Sequence, residues 1–195
     1  MTGQAQPGRG RSAILLLSCV ALLPATVILH ELAHWLVGQL AGFPTQLHFA
    51  SVDGLPETAP FGGAPLGVAL AALAGPAMSV LLVGVGMISR HRPWGLPLVA
   101  TAIARFAVNI IYMIQQAFVL AGVAKASQPN FDEILAARAL GLPPQPLAAI
   151  GAIVLLAALA WLWRQASGRT LLVLAVGTVA GMVGWLGLLG PRLLP

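Results

Sequence analysis

His30-Glu31-Leu32-Ala33-His34 puts two imidazoles and a carboxylate within five residues. On a helix, residues four apart share a face, so both rings can ligate one zinc ion while the glutamate between them approaches a water on the metal. Zinc brings the pKa of such a water down to about 7, and Glu31 is then placed to take its proton and pass it to a leaving amine. The chemistry that suits this arrangement is amide hydrolysis. Its setting sharpens the reading, because the motif lies in the apolar stretch VILHELAHWLVG. Burying a glutamate and two histidines within lipid costs on the order of a few kcal/mol, so such residues are retained for a site or as hydrogen-bonding glue between helices. Three of them in one helical turn favour the site.

The elements that must position these groups follow from composition. Of 195 residues, 58% are hydrophobic and 8% charged, far below the roughly 25% charged of a soluble domain. Residues 64 to 89 contain no charge at all. The chain therefore reads as an all-α integral membrane protein, with the bilayer as its solvent. The ten basic residues are scattered singly or in pairs, which excludes the clustered stripe that nucleic acid requires. Cys19 is the sole cysteine, so there is neither a disulfide framework nor a thiolate site, and any metal must be held by histidine and carboxylate.

Apolar runs predict about five transmembrane helices, near residues 13–40, 64–88, 95–123, 146–163 and 169–189, forming a single membrane domain behind a short tail of residues 1–12. Breaks fall at Gly42-Phe43-Pro44, Arg90-His91-Arg92-Pro93, Lys125 to Asn130, Pro143-Pro144 and Arg164 to Gly168. The apolar run after the basic start continues directly into the histidines, so it reads as a retained span rather than a cleaved signal peptide. Placing the N-terminus in the cytoplasm puts six basic residues inside (Arg9, Arg11, Arg90, Arg92, Arg164 and Arg169) against three outside (Lys125, Arg138 and Arg192). That predicts a multi-pass protein of a cell membrane, of the bacterial inner-membrane kind. Gly63-x-x-x-Gly67 and Gly177-x-x-x-Gly181 read as close helix contacts, and Trp161, Trp163 and Trp185 as interfacial anchors. Between the first two spans, residues 44–52 alternate partly and predict a strand-like or re-entrant loop dipping towards the site, a candidate edge for pairing with an extended substrate.

The chain has only five acidic residues: Glu31, Asp53, Glu57, Asp132 and Glu133. On a five-span topology all of them lie near one membrane face, whichever way the protein is inserted. In the third span Arg105, Asn109, Tyr112 and Gln116 recur at helical steps and form a polar stripe in an otherwise apolar segment. Turned towards the HExxH helix, Asn109 or Tyr112 would orient substrate and Arg105 would pair with a carboxylate or a carbonyl. The alternative is structural polar contact between spans.

The HELAH motif followed by Gly38, together with Leu73-Ala74-Gly75-Pro76 early in the second span, resembles the site-2 protease group of intramembrane zinc metalloproteases. The resemblance implies that His30 and His34 are zinc ligands, that Glu31 is the catalytic base, and that a later aspartate completes the metal site. It also implies cleavage of a membrane protein or peptide in or near the bilayer. Two features depart from the family pattern. Ser79 stands where the family places asparagine, three residues after the Gly-Pro pair, and no LDG motif is present. The third ligand is accordingly sought among the remaining acids: Asp132 first, just beyond the third span, then Glu133, with His48, Asp53 and Glu57 more remote. An ordinary explanation of Asp132 and Glu133 is the first turn of a short helix capped by Asn130. The expected activity is zinc-dependent endopeptidase, the alternative a non-catalytic metal-binding membrane protein, such as a chaperone or regulatory subunit of the same fold.

Overall fold

The computed structural model describes residues 9–56, 65–125 and 131–194. Within lipid, backbone N–H and C=O groups must be satisfied internally, so apolar runs become helices. Five of these, Gly10–Leu40, Pro65–Ile88, Gly95–Leu120, Gln145–Gln165 and Gly168–Leu193, are long and apolar enough to cross a membrane, giving an all-α, multi-helix membrane fold. The first two are α1 (Arg9–Leu40) and α2 (Pro65–Ile88). The third is composite: α3 (Gly95–Ile103), a 3-10 turn at Ala104–Phe106, and α4 (Ala107–Leu120). It ends three residues earlier than the sequence suggests, because Gly122 at φ 72 turns the chain out of the helix. A short α5 (Asp132–Ala139) precedes α6 (Gln145–Gln165), and α7 (Gly168–Gly184) continues through a π-helical turn, Trp185–Leu189, into α8 (Gly190–Leu193).

Helix α1 packs against α2, α3 and α7. Its approach to α7 depends on Gly177 and Gly181: a Cβ on Gly177 would lie 2.8 Å from that of Cys19, and one on Gly181 3.0 Å from that of Leu23. Small residues four apart let two helices meet backbone to backbone, the role read for this pair from sequence. Gly63 of the other pair lies outside the described residues. The largest apolar cluster joins Leu15 and Cys19 of α1 to Val99, Ile103, Leu155, Leu162 and Leu174, filling the half of the bundle nearer the start of α1. The other half holds the polar groups.

The loop after α1 forms a two-stranded antiparallel hairpin, β1 (Gln46–Leu47) and β2 (Val52–Asp53), with Gln46 opposite Asp53 and Leu47 opposite Val52. Side-chain hydrogen bonds fasten it to the bundle. Gln39 Nε2 donates to the Thr45 carbonyl at 2.8 Å, and Trp185 Nε1 donates to the Phe49 carbonyl at 2.9 Å. Trp185 is thereby corrected from an interfacial anchor to a buried strut. Its indole N–H finds an acceptor in the hairpin, which outweighs the attraction of the interface for an amphipathic ring. Trp163, by contrast, remains exposed.

Candidate metal centre

His30, Glu31 and His34 are buried; the two histidines share the face of α1 that meets α2, with Glu31 about 100° further round. Residues 71, 75 and 79 of α2, spaced by four, present one face to the imidazoles. His34 Nδ1 donates to the Ala71 carbonyl at 2.7 Å, and His30 Nδ1 is bonded to Ser79 Oγ at 2.8 Å. Gly75, between them, has no side chain because none fits: a Cβ there would collide with Nε2 of His34 and lie 2.6 Å from Nε2 of His30. Pro76 follows inside α2 and, lacking an N–H, leaves the helix ladder open one residue from the Ala71 carbonyl that receives His34. The Ala-Gly-Pro stretch is thus the seat of the two rings.

Helix α5 supplies the third group. Asp132 Oδ2 is 3.0 Å from His30 Nε2 and 3.4 Å from His34 Nε2, while the two Nε2 atoms are 3.1 Å apart. A carbonyl only accepts, so the Ala71 contact fixes the proton of neutral His34 on Nδ1 and leaves its Nε2 as a lone pair aimed at the carboxylate. Imidazole nitrogens brought this close to each other and to a carboxylate oxygen are satisfied by a proton or by a metal cation between them. Tetrahedral zinc with bonds of about 2.0–2.1 Å has ligand-to-ligand edges of roughly 3.3–3.4 Å, close to the separations of this triangle. His30, His34 and Asp132 can therefore hold a metal ion.

What brings Asp132 there is the docking of α5. Val68, Ala69 and Ala72 of α2 pack against Ala136 and Ala139, and the Phe131 ring meets Tyr112 edge to face with centroids 5.5 Å apart. Phe131, extended at φ −134, occupies the cap position, so the helix starts at Asp132; Asn130 lies outside the described residues. Glu133, about 100° further round the helix, points away from the triangle. Its Oε1 accepts from Asn109 Nδ2 at 2.9 Å, against Gly151 of α6, where a Cβ would meet that oxygen at 2.9 Å. The next-choice ligand is thus a buried tether between α4, α5 and α6 rather than a member of the metal group. Burial raises the Glu133 carboxyl above its ordinary pKa, with the Asn109 hydrogen bond opposing. Burial acts in the same direction on Asp132, but the two imidazoles facing it prevail and hold its carboxyl well below the usual carboxylate range.

Glu31 Oε1 receives Nη2 of Arg105 at 2.6 Å. Arg105 comes from the 3-10 turn that interrupts the third span, a local irregularity of the kind found at functional positions. The polar stripe expected along this span divides there. Arg105 reaches the HExxH helix as anticipated, whereas Asn109 and Tyr112 face α5 and α6, tethering Glu133 and Phe131. Their contacts are those of the structural alternative, supporting the element that carries Asp132. Three residues per turn at 104–106, in place of 3.6, shift the register between Arg105 and its partners.

A cavity of about 600 Å³ opens beside the triangle and is lined by His30, Glu31, His34, Arg105 and Asp132, and across from them by residues 50–55 of the hairpin. All four described acids, Glu31, Asp53, Asp132 and Glu133, border it. His48 and Asp53 pair with each other at 3.3 Å within the hairpin rather than with the triangle, and Glu57 lies outside the described residues. Gly75 and Ser79 entered the sequence reading only through the resemblance, without a contact, and the Ala71 carbonyl not at all, although their spacing of four opposite a motif of the same spacing marks a shared face. Comparison with family models, curated proteins and solved structures finds no match to this chain.

Three consequences can be measured. Ser79→Ala removes the partner that orients His30 and is expected to weaken metal binding by the triangle about 10- to 100-fold, as loss of outer-sphere hydrogen bonds does, in a competitive chelator titration with zinc as the probe. Gly75→Ala should weaken it at least as much in the same titration, because the added methyl occupies the position of the His34 ring. Asn109→Leu leaves the Glu133 carboxylate buried without its donor and should lower unfolding stability by about 1–3 kcal/mol, with Asn109→Leu/Glu133→Leu losing less than the sum of the single changes.

Proposed function

We propose that this chain is a membrane-embedded zinc metalloendopeptidase of the site-2 protease type, cleaving peptide bonds of membrane proteins or peptides in or near the bilayer. The observation that carries the reading is the convergence of His30, His34 and Asp132 on one triangle beside the buried Glu31 of the same HExxH turn. Zinc held there supplies Lewis acidity, polarising a carbonyl and acidifying a water. Glu31 is the base: Oε1 is held by Arg105, Oε2 accepts from no described residue, and the carboxylate faces the cavity in which a peptide would lie. Arg105 compensates the buried charge of Glu31 and fixes its direction. The hairpin borders the cavity, where a scissile peptide, which must be extended, would add along its edge. With the N-terminus in the cytoplasm, as the distribution of basic residues favours, the cavity faces the outer half of the bilayer, in a membrane of the bacterial inner-membrane kind.

One observation favours a second reading, a non-catalytic metal-binding membrane protein: the 2.6 Å ion pair occupies the carboxylate that a peptidase needs as a base. Purified chain incubated with a labelled membrane-spanning peptide separates the two. The peptidase gives cleavage that a chelator abolishes and zinc restores, whereas a binding protein retains metal and cleaves nothing.

A further inference from the structure

About 28 Å along α1 from His30, by helical rise, a second cavity of about 410 Å³ opens at the other end of the bundle. That volume is within the range of small-molecule sites, roughly 300–1,000 Å³. Its lining combines Arg11 at the start of α1 with Arg90, His91 and Arg92 from the connection between α2 and α3, above the apolar side chains of Ile14 and Leu96. Among the described residues none of these arginines pairs with a carboxylate, and every described acid borders the other cavity. Guanidinium groups gathered round one recess repel one another, and an anion between them removes that cost.

We propose that this cavity binds the phosphate group of an anionic glycerophospholipid. Guanidinium forks match phosphate oxygens in bidentate geometry, and a basic recess between membrane helices is where such head groups are held. Ile14 lines the cavity and is also 52% exposed on the outer face of α1, with Leu17 at 64% one turn further on. A head group seated on the arginines therefore leaves its acyl chains against an apolar, lipid-facing surface. Free phosphate would satisfy the arginines alone and leave that apolar path unused.

The test uses the full chain, delipidated in detergent and titrated separately with phosphatidylglycerol, phosphatidylcholine and inorganic phosphate, with bound ligand counted by native mass spectrometry. Phosphatidylglycerol should be retained in preference to phosphatidylcholine. Arg90→Gln and Arg92→Gln should each weaken retention on the order of fivefold, the share of one arginine near an anionic surface. Arg164→Gln/Arg169→Gln, outside the cavity, should leave retention unchanged. If the loop variants do not fold, Arg11→Gln at the helix end carries the same expectation. Displacement of phosphatidylglycerol by inorganic phosphate at matched concentration would identify free phosphate as the source of the same anion at the same arginines. Equal retention of the two lipids, or equal weakening by the cavity and control variants, would overturn the proposal.

Discussion

Asp132→Ala is expected to remove metal binding at physiological zinc levels while leaving the bundle folded. Protein zinc sites of four ligands bind with about 10–16 kcal/mol, about 3 kcal/mol or more for each ligand, so losing one of three protein ligands should weaken affinity by roughly two to three orders of magnitude. The fold survives because α5 is docked by other contacts: the alanines packed on α2 and the Glu133–Asn109 hydrogen bond do not involve the Asp132 carboxylate. Glu133→Gln is the informative companion, since it keeps the Asn109 contact close to isosteric and should hold zinc as the unaltered chain does. A competitive chelator titration of both variants reads the difference. Equal loss in the two would mean that α5 acts as a structural whole and that Asp132 has no special part.

Glu31→Gln should have the opposite signature, retaining zinc and losing cleavage. The glutamate is not one of the three converging groups, so metal content is expected to stay near that of the unaltered chain. Glutamine cannot accept the proton of an attacking water, and positioned general bases contribute about 10²- to 10⁴-fold. The rate on a membrane peptide should fall within that range. The substitution also removes the anionic partner of Arg105, which is 29% exposed at its side chain and can turn towards the cavity water. Metal content measured beside the rate separates a missing base from a missing site.

Most of the architecture was legible because lipid leaves few choices: an apolar run of about 20 residues bounded by proline, glycine or charge becomes a spanning helix. The HExxH residues were legible for the converse reason, being polar where polarity is costly. Long-range pairing was less legible. Asp132 and Glu133 are adjacent in sequence and both open a helix, and only the docking of α5 on α2, α4 and α6 decides that one faces His30 and the other Asn109. Arg105 was read towards a carboxylate near the HExxH helix, but Asn109 and Tyr112 showed a shared face without their partners, since the 3-10 turn that reorients them leaves no mark in a helical spacing count. Trp185 followed the usual tendency of tryptophan at span ends until a hairpin carbonyl claimed its N–H. Ser79 carried no sequence signal of its contact, and only the crossing of α1 and α2 brings its hydroxyl to His30 Nδ1.

The metal centre itself is tested most directly by zinc X-ray absorption on the purified chain alongside its metal content. The expected result is about one zinc per chain, coordinated by two imidazole nitrogens and at least one carboxylate or water oxygen at about 2.0–2.2 Å, lost in His30→Ala/His34→Ala. A zinc spectrum unchanged by that double substitution, or a chain that takes up no metal at all, would contradict it.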